Sequence, residues 1–389
     1  LTRCRAQTGR KLEVDPQRLK RRARYIVIAI PLLGLLLSAC VPQSRGSSAI
    51  TVEDGIIYAV SPEGNVLALD PQQRLQRWQA EFPTGGREWI SPAENLGVIY
   101  ARPLPSGDRL FVATFDGKVW VLSRGRGDLQ GEEPLFEDES LVATPALAGN
   151  TLLIAAGSEL YAIDAATGVE RWARPAQAQN RIWASPVLLG DRVIFASLDR
   201  RLYAVKLDTG EELWSFEAGG GIASTPLVVD STIYFGSFDG HLYAIGSDGR
   251  EVWSSPVLAD EWVWSRPLFY EGTVYFGALD GVLYAVDAIR GRVRWSEDLG
   301  EPIRAAPALE EGVVVVATTG GTVYGMDPGN GTQKWEWPLS PLDEDITVSA
   351  ELAGHDGEVY VVSEQGTLYA LDAGTGKLAW RFSLTEVGE

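Results

Sequence analysis

Across 389 residues the chain carries 52 acidic and 34 basic side chains, a formal charge of −18, and 45% hydrophobic residues. Such acidity disfavours nucleic acid and anionic lipid head groups as partners of its surface. Two cysteines and two histidines leave no disulfide framework and no multi-histidine metal site.

The charge is unevenly placed. Residues 1–24 hold nine basic and two acidic side chains, a leader of +7, so the remainder carries −25. An uncharged apolar run follows over 25–39, and Cys40 comes next. A basic region, an apolar run and small residues before a cut describe a secretory signal. Leu37-Ser38-Ala39-Cys40 resembles the lipobox of bacterial lipoproteins, which implies cleavage before Cys40 and lipid on its sulfur. The competing reading is an uncleaved anchor, because uncharged sequence continues to Ser44 and reaches roughly the length that spans a bilayer. If Cys4 leaves with the leader, the exported part keeps no thiol other than Cys40, so no cysteine-based metal site remains in it.

From residue 48 onward one phrase recurs, Leu-Tyr-Ala-aliphatic-Asp, with Trp eight residues after the Asp. It is clearest at Leu160 to Asp164 with Trp172, Leu283 to Asp287 with Trp295, and Leu368 to Asp372 with Trp380. Looser copies carry Trp78, Trp214, Trp253 and Trp335, and a worn copy at Val119 to Ser123 lacks the distal Trp. The central positions Leu67, Trp120, Tyr161, Tyr203, Tyr243, Tyr284, Tyr324 and Tyr369 are spaced by 53, 41, 42, 40, 41, 40 and 45 residues. A period near forty signals a repeat architecture.

Each unit reads as four strands. In the type unit the runs are 185–189, 192–197, 202–205 and 212–216, rich in β-branched and aromatic residues and bounded by Gly and Asp. Asp116-Gly117, Asp239-Gly240 and Asp280-Gly281 fall between the second and third runs, where a tight primed turn is expected. Asp-x-x-Thr-Gly, as at 164–168 and 372–376, turns the chain from the third run to the fourth. Eight such units predict an eight-bladed β-propeller of four-stranded antiparallel blades over 48–384, with 40–47 as linker and 385–389 as tail. A strand exchanged between the ends to clasp the ring stays open as an alternative. Trp78, Trp172, Trp214, Trp253, Trp295, Trp335 and Trp380 are read as fillers between neighbouring blades, and the repeated Tyr likewise. In the second unit, 102–108 reads as an insertion that lengthens a loop.

The loops leading into the innermost strands share a rim with the hairpins between second and third strands. They carry Arg87 and Trp89, then Arg181 and Trp183, then Trp262, Trp264 and Arg266, then Arg304. Trp and Arg are the residue types enriched at the hot spots of protein interfaces. Arg87, Trp89, Arg181, Trp183, Trp262, Arg266 and Arg304 are therefore the candidate partner-binding set, with Trp264 read as core. His241 and His355 sit beside Asp-Gly and Asp-rich turns and are read as solvated turn residues, not as bases or ligands. Asp343-Glu344-Asp345 is read as an acidic turn, since it lacks the alternating spacing of a calcium loop.

The eightfold Leu-Tyr-Ala-x-Asp-x-x-Thr-Gly-x-x-x-Trp signature resembles the repeat of PQQ-like β-propellers over about 48–384. That family holds quinoprotein alcohol and glucose dehydrogenases and the BamB lipoproteins of outer-membrane assembly. The resemblance implies a fold and does not fix a function. The dehydrogenases stack their quinone between a Trp and a disulfide of adjacent cysteines, beside calcium and a catalytic Asp. No cysteine lies inside any unit here, so neither PQQ nor calcium is expected. The BamB likeness implies a monomeric, non-catalytic scaffold. It would be membrane-anchored through Cys40 on the periplasmic or outer side, bind a protein partner of the envelope and avoid nucleic acid. A quinone-dependent oxidoreductase and a glycan or small-ligand sensor are the competing readings.

Overall fold

The computed structural model describes residues 49–82, 98–339 and 346–385. Cys40, Arg87, Trp89 and Asp343 to Asp345 lie outside the described residues. The alternating runs of the type unit fold as antiparallel strands Val187–Leu189, Arg192–Ala196, Arg201–Lys206 and Glu212–Glu217. The second and third strands are almost wholly buried, and the fourth is exposed at its ends and half-buried in its middle. Eight such sheets follow one another over 50–80, 104–137, 146–177, 187–217, 227–258, 268–298, 308–338 and 353–383, an all-β propeller of eight four-stranded blades.

Every sheet is built from four consecutive strands, so each repeat is one blade and no strand is exchanged at the closure. The ring closes by side-chain packing. Ile50, Ile57, Leu67 and Leu69 of blade one share a core with Tyr360, Val362, Leu368 and Trp380 of blade eight. Equivalent clusters join each of the other neighbouring pairs.

The repeated Trp binds its neighbour in two ways. The indole Nε1 of Trp172, Trp214, Trp253, Trp295 and Trp335 donates to a carbonyl of the next blade, at Leu207, Ser247, Ala288, Pro328 and Ala373, over 2.8–3.0 Å. Its ring also covers the glycine that ends the next blade's third-to-fourth turn. A Cβ on Gly210 would fall 2.7 Å from Trp172, and one on Gly291 would fall 2.6 Å from Trp253. Both glycines sit at positive φ, 73° and 65°, so sterics and backbone conformation each demand glycine there.

The closing seam differs. Trp380 Nε1 donates to Glu358 of its own blade, and Arg74 of blade one holds the left-handed φ of 56°. A non-glycine residue in that region stores strain. Native-state hydrogen exchange should therefore show blades one and eight losing protection below the global unfolding free energy. Equal protection across all eight blades would contradict this.

Two expectations need correction. The hairpins between second and third strands are not primed turns. Phe115 and Asp116 have no positive φ, and only Gly117, at 92°, does. Gly117 N–H donates to Thr114 O and Thr114 N–H to Lys118 O, which is a type I turn closed by a glycine bulge. Residues 102–108 are not a loop insertion either, because Leu104–Ser106 is the innermost strand of blade two. The proline at Pro105 misled, since an innermost strand pairs on one side only and tolerates it.

The third-strand Tyr does more than pack. Tyr203, Tyr243 and Tyr284 stack on Phe195, Phe235 and Phe276 at 4.9–5.3 Å. Their hydroxyls donate to the hairpin carboxylates Asp199, Asp239 and Asp280 over 2.6–2.8 Å. Burial, and then Asp239, push the Tyr243 hydroxyl up to about 12.

The third-to-fourth turns show the opposite shift. Asp287 is held at about 2 by the Arg290 backbone amide and the Arg294 guanidinium, and Asp164 at about 2 by Arg171 and the turn amides. A depressed carboxylate stabilises the fold fully above its unfolded value of about 4 and loses that contribution as pH falls toward about 2. The melting temperature should therefore hold down to about pH 4 and fall between about 4 and 2. In the Asp164→Asn/Asp287→Asn variant that fall should flatten, and an unchanged acid slope in thermal melts would refute the assignment.

Candidate functional site

The leading loops and the second-to-third hairpins do share one rim. In blades four to seven the hairpin N–H bonds the leading loop: Leu198 to Arg181 O, Phe238 to Gly221 O, Leu279 to Trp262 O and Thr319 to Pro302 O. One repeat position then faces the axis in every blade. Strand register aligns Ala49, Arg102, Thr144, Ser185, Thr225, Arg266, Ala306 and Glu351, each two residues before the same ladder pair. All eight line a cavity of about 350 Å³, together with Tyr100, Trp183, Trp264, Arg304, Ser349 and Glu364.

Thr144, Ser185 and Thr225 form a neutral run of this ring tied by hydrogen bonds. Arg102 N–H donates to Thr144 Oγ1 (2.9 Å), Thr144 N–H to Ser185 Oγ (3.0 Å), and Ser185 N–H to Thr225 Oγ1 (3.2 Å). Three ring positions, Arg102, Arg266 and Glu351, are charged. Arg102 pairs with Glu351 at 2.5 Å, passing the small Ala49 between them. Ser349 Oγ donates to Glu364 at 2.6 Å. Arg266 has no such partner: its Nε is the one buried side-chain nitrogen or oxygen without a hydrogen bond among the described residues. Burial pulls its guanidinium down from the ordinary arginine range, opposed by the charge of Glu351. An orphaned buried donor costs about 1–3 kcal/mol.

Aromatic rings lead from the outer rim to this mouth. Trp262, 44% exposed, stacks on Phe238 with centroids 4.5 Å apart. Phe238 meets Trp264 at 5.0 Å, and Trp264 meets Trp183 at 6.0 Å. The Arg304 guanidinium lies 4.4 Å from the centre of the Trp264 ring, a cation–π contact.

The structure thus brings Trp183, Arg266 and Arg304 into one cavity wall and leaves Trp262 and the exposed Arg181 on the rim above it. Trp264, read as core, belongs to the mouth, because the bulk of Phe238 and the Arg304 side chain hold it at the axis. Arg102 and Glu351 were missed. Their signal is the ring position itself: Arg102 precedes Pro103 as Arg266 precedes Pro267 and Ser185 precedes Pro186.

Ser349 with Glu364 is a hydroxyl–carboxylate contact in this set, and no histidine is among the described lining residues. His241 and His355 each face one carboxylate, Asp239 at 3.4 Å and Asp356 at 3.5 Å, away from the cavity lining. Among the described residues no three His, Cys, Asp or Glu converge as metal ligands. The described lining contains no Asp, Asn or Cys, and its two carboxylates are engaged by Arg102 and Ser349. Calcium favours several oxygen ligands, and the described lining offers it these two engaged carboxylates.

Comparison with known proteins finds relatives of both kinds, assembly factors and quinone dehydrogenases. A family model described as "Outer membrane protein assembly factor BamB" matches residues 36–189, 181–256, 239–351 and 337–388. An outer membrane protein assembly factor BamB from Legionella pneumophila is 25% identical over 45% of this chain and 44% of its own. A 1-butanol dehydrogenase (quinone) from Thauera butanivorans is 28% identical over 34% of this chain and 23% of its own. The chain thus spans less than half the length of these curated relatives. The crystal structure of BamB from Moraxella catarrhalis superposes with a TM-score of 0.65 at 20% identity, covering 82% of this chain and 92% of that one. That likeness concerns the fold alone.

Proposed function

Because this chain belongs to the BamB family of outer membrane protein assembly factors, we propose that it is a non-catalytic scaffold whose axial mouth and rim bind a protein partner of the cell envelope. The carrying observation is the convergence of Trp183, Trp264, Arg266 and Arg304 on one cavity below the half-exposed Trp262. Aromatic and Arg side chains supply interface energy through large buried area and directed hydrogen bonds. In this reading the propeller is a monomer exported and held at the membrane by lipid on Cys40, facing the periplasm or the outside. Its strongly acidic surface keeps nucleic acid away.

Co-purification from detergent-solubilised membranes tests it. The wild-type chain should recover a partner that Trp183→Ala and Arg304→Ala lose, with both variants folded. Recovery that is indifferent to both substitutions counts against the mouth as the binding surface.

The quinone-dependent oxidoreductase is the second reading, favoured by the likeness to 1-butanol dehydrogenase. Reconstitution with PQQ and calcium and a dye-reduction assay over alcohols and sugars separates the two. The scaffold reading expects no turnover and no PQQ binding at micromolar concentration, and turnover would replace it.

A further inference from the structure

We infer that the axial mouth captures a single carboxylate carried beside an aromatic or other flat apolar group. This chemistry is shared by the C-terminal residue of a peptide and by a free aromatic acid. The inference deepens the scaffold reading at the same site and rests on it only for the identity of the ligand's carrier.

The charge inventory of the cavity carries the first half. Among the described lining residues three guanidinia, Arg102, Arg266 and Arg304, stand against two carboxylates, Glu351 and Glu364. Glu351 is taken by Arg102, and Glu364 accepts from Ser349. Arg266 and Arg304 are left with no carboxylate within ion-pair distance among the described residues, and Arg266 keeps an unsatisfied buried nitrogen. Most other arginines of the described blades do find carboxylates, among them Arg77, Arg124, Arg171, Arg201 and Arg294. Among the described lining residues the surplus is one positive charge, inside a protein of strongly negative charge. One carboxylate neutralises that surplus with a geometry the guanidinium fork matches. A dianion or an acidic run would overshoot it and be repelled by the surrounding field.

The walls carry the second half. Trp183 and Trp264 line the cavity with their planes 43° apart and centroids 6.0 Å apart. They form a wedge of indole faces next to the arginines. A cavity of about 350 Å³ falls within the range that accepts a small organic group. It suits one side chain with its carboxylate, not a folded element.

Calorimetric titration of the full-length protein in detergent decides it. The probes are N-acetylphenylalanine, its primary amide, a short peptide ending in Phe with a free or an amidated C-terminus, and sulfate. The free acids should bind at least tenfold more tightly than the amides, and sulfate should not compete. Arg304→Gln, at an exposed site, and Arg266→Gln should each weaken acid binding at least tenfold. Binding of the peptide acid alone identifies a C-terminus as the source, and binding of the small acid alone identifies a free metabolite. Equal binding of acid and amide, sulfate competition, or no binding at millimolar concentration overturns the inference. Partner co-purification scored in the same variants keeps the two ideas apart. Acid binding without any partner leaves the carboxylate site standing and removes the scaffold, and the reverse result removes the site alone.

Discussion

Trp253→Ala is expected to cost about 3–5 kcal/mol of stability, the range for removing a buried Trp from a packed core. Trp253 is 4% exposed, and its Nε1 donates to Ala288 O of the next blade over 3.0 Å. Its ring also lies against Tyr234, with centroids 5.6 Å apart, and fills the space over Gly291. Removal leaves a void at a blade joint and takes one of two donors from the Ala288 carbonyl, which keeps the Tyr234 hydroxyl at 3.0 Å. Two further substitutions apportion the loss. Trp253→Phe keeps most of the ring and gives up the hydrogen bond, at about 1 kcal/mol for that bond. Gly291→Ala keeps the indole but places a methyl against it at positive φ, at about 1–3 kcal/mol. Chemical denaturation measures all three. A loss below 1 kcal/mol for Trp253→Ala would mean that the blades are not joined through this ring.

Glu351→Gln should have the next largest effect. The carboxylate pairs with Arg102 at 2.5 Å, with side chains 30% and 25% exposed, and its field also reaches Arg266. Losing it leaves two guanidinia facing one neutral amide in a partly dry cavity. Removing one partner of a fully buried pair costs about 3–5 kcal/mol, and partial exposure lowers the expectation to about 1–3 kcal/mol. Arg266→Met, in contrast, removes an unsatisfied donor and should be neutral or stabilising. Combined with Glu351→Gln, it should restore part of the lost stability, a coupling that a double-mutant cycle reads directly. Strict additivity of the two substitutions would show that Arg266 and Glu351 do not interact.

The blades were legible because their residues are set by local rules that repeat. Leu-Tyr-Ala places alternating side chains on a buried third strand, and Asp-x-x-Thr-Gly dictates a turn through its own carboxylate and glycine. At Asp164, Oδ1 accepts from the Ala166 and Thr167 amides, and Gly168 takes φ of 72°. The hairpin type was less legible, because Asp-Gly serves a primed turn and a bulged type I turn alike, and strand twist decides between them. The worn repeat hid its innermost strand for a related reason. Leu104-Pro105-Ser106 breaks the strand pattern, yet it needs only the hydrogen bonds of one neighbour.

The site was half legible. Trp183, Arg266 and Arg304 stood out by residue type in the leading loops. Arg102 and Glu351 did not, since their pairing joins blades two and eight, 249 positions apart in the numbering. Only the register common to all blades places both on the axial ring. The role of Trp264 likewise depends on Phe238 and Arg304, which come from blades five and seven.

Photo-crosslinking from single positions of the full-length chain in its native membrane tests the account most directly. An activatable side chain at Arg181, Trp262 or Arg304 should trap one protein partner. The same group at Ile289 or Val169, exposed on third-to-fourth turns at the opposite end of the blades, should trap none. Adducts confined to Ile289 and Val169, with none from the rim, would contradict the assignment of the axial mouth as the working end.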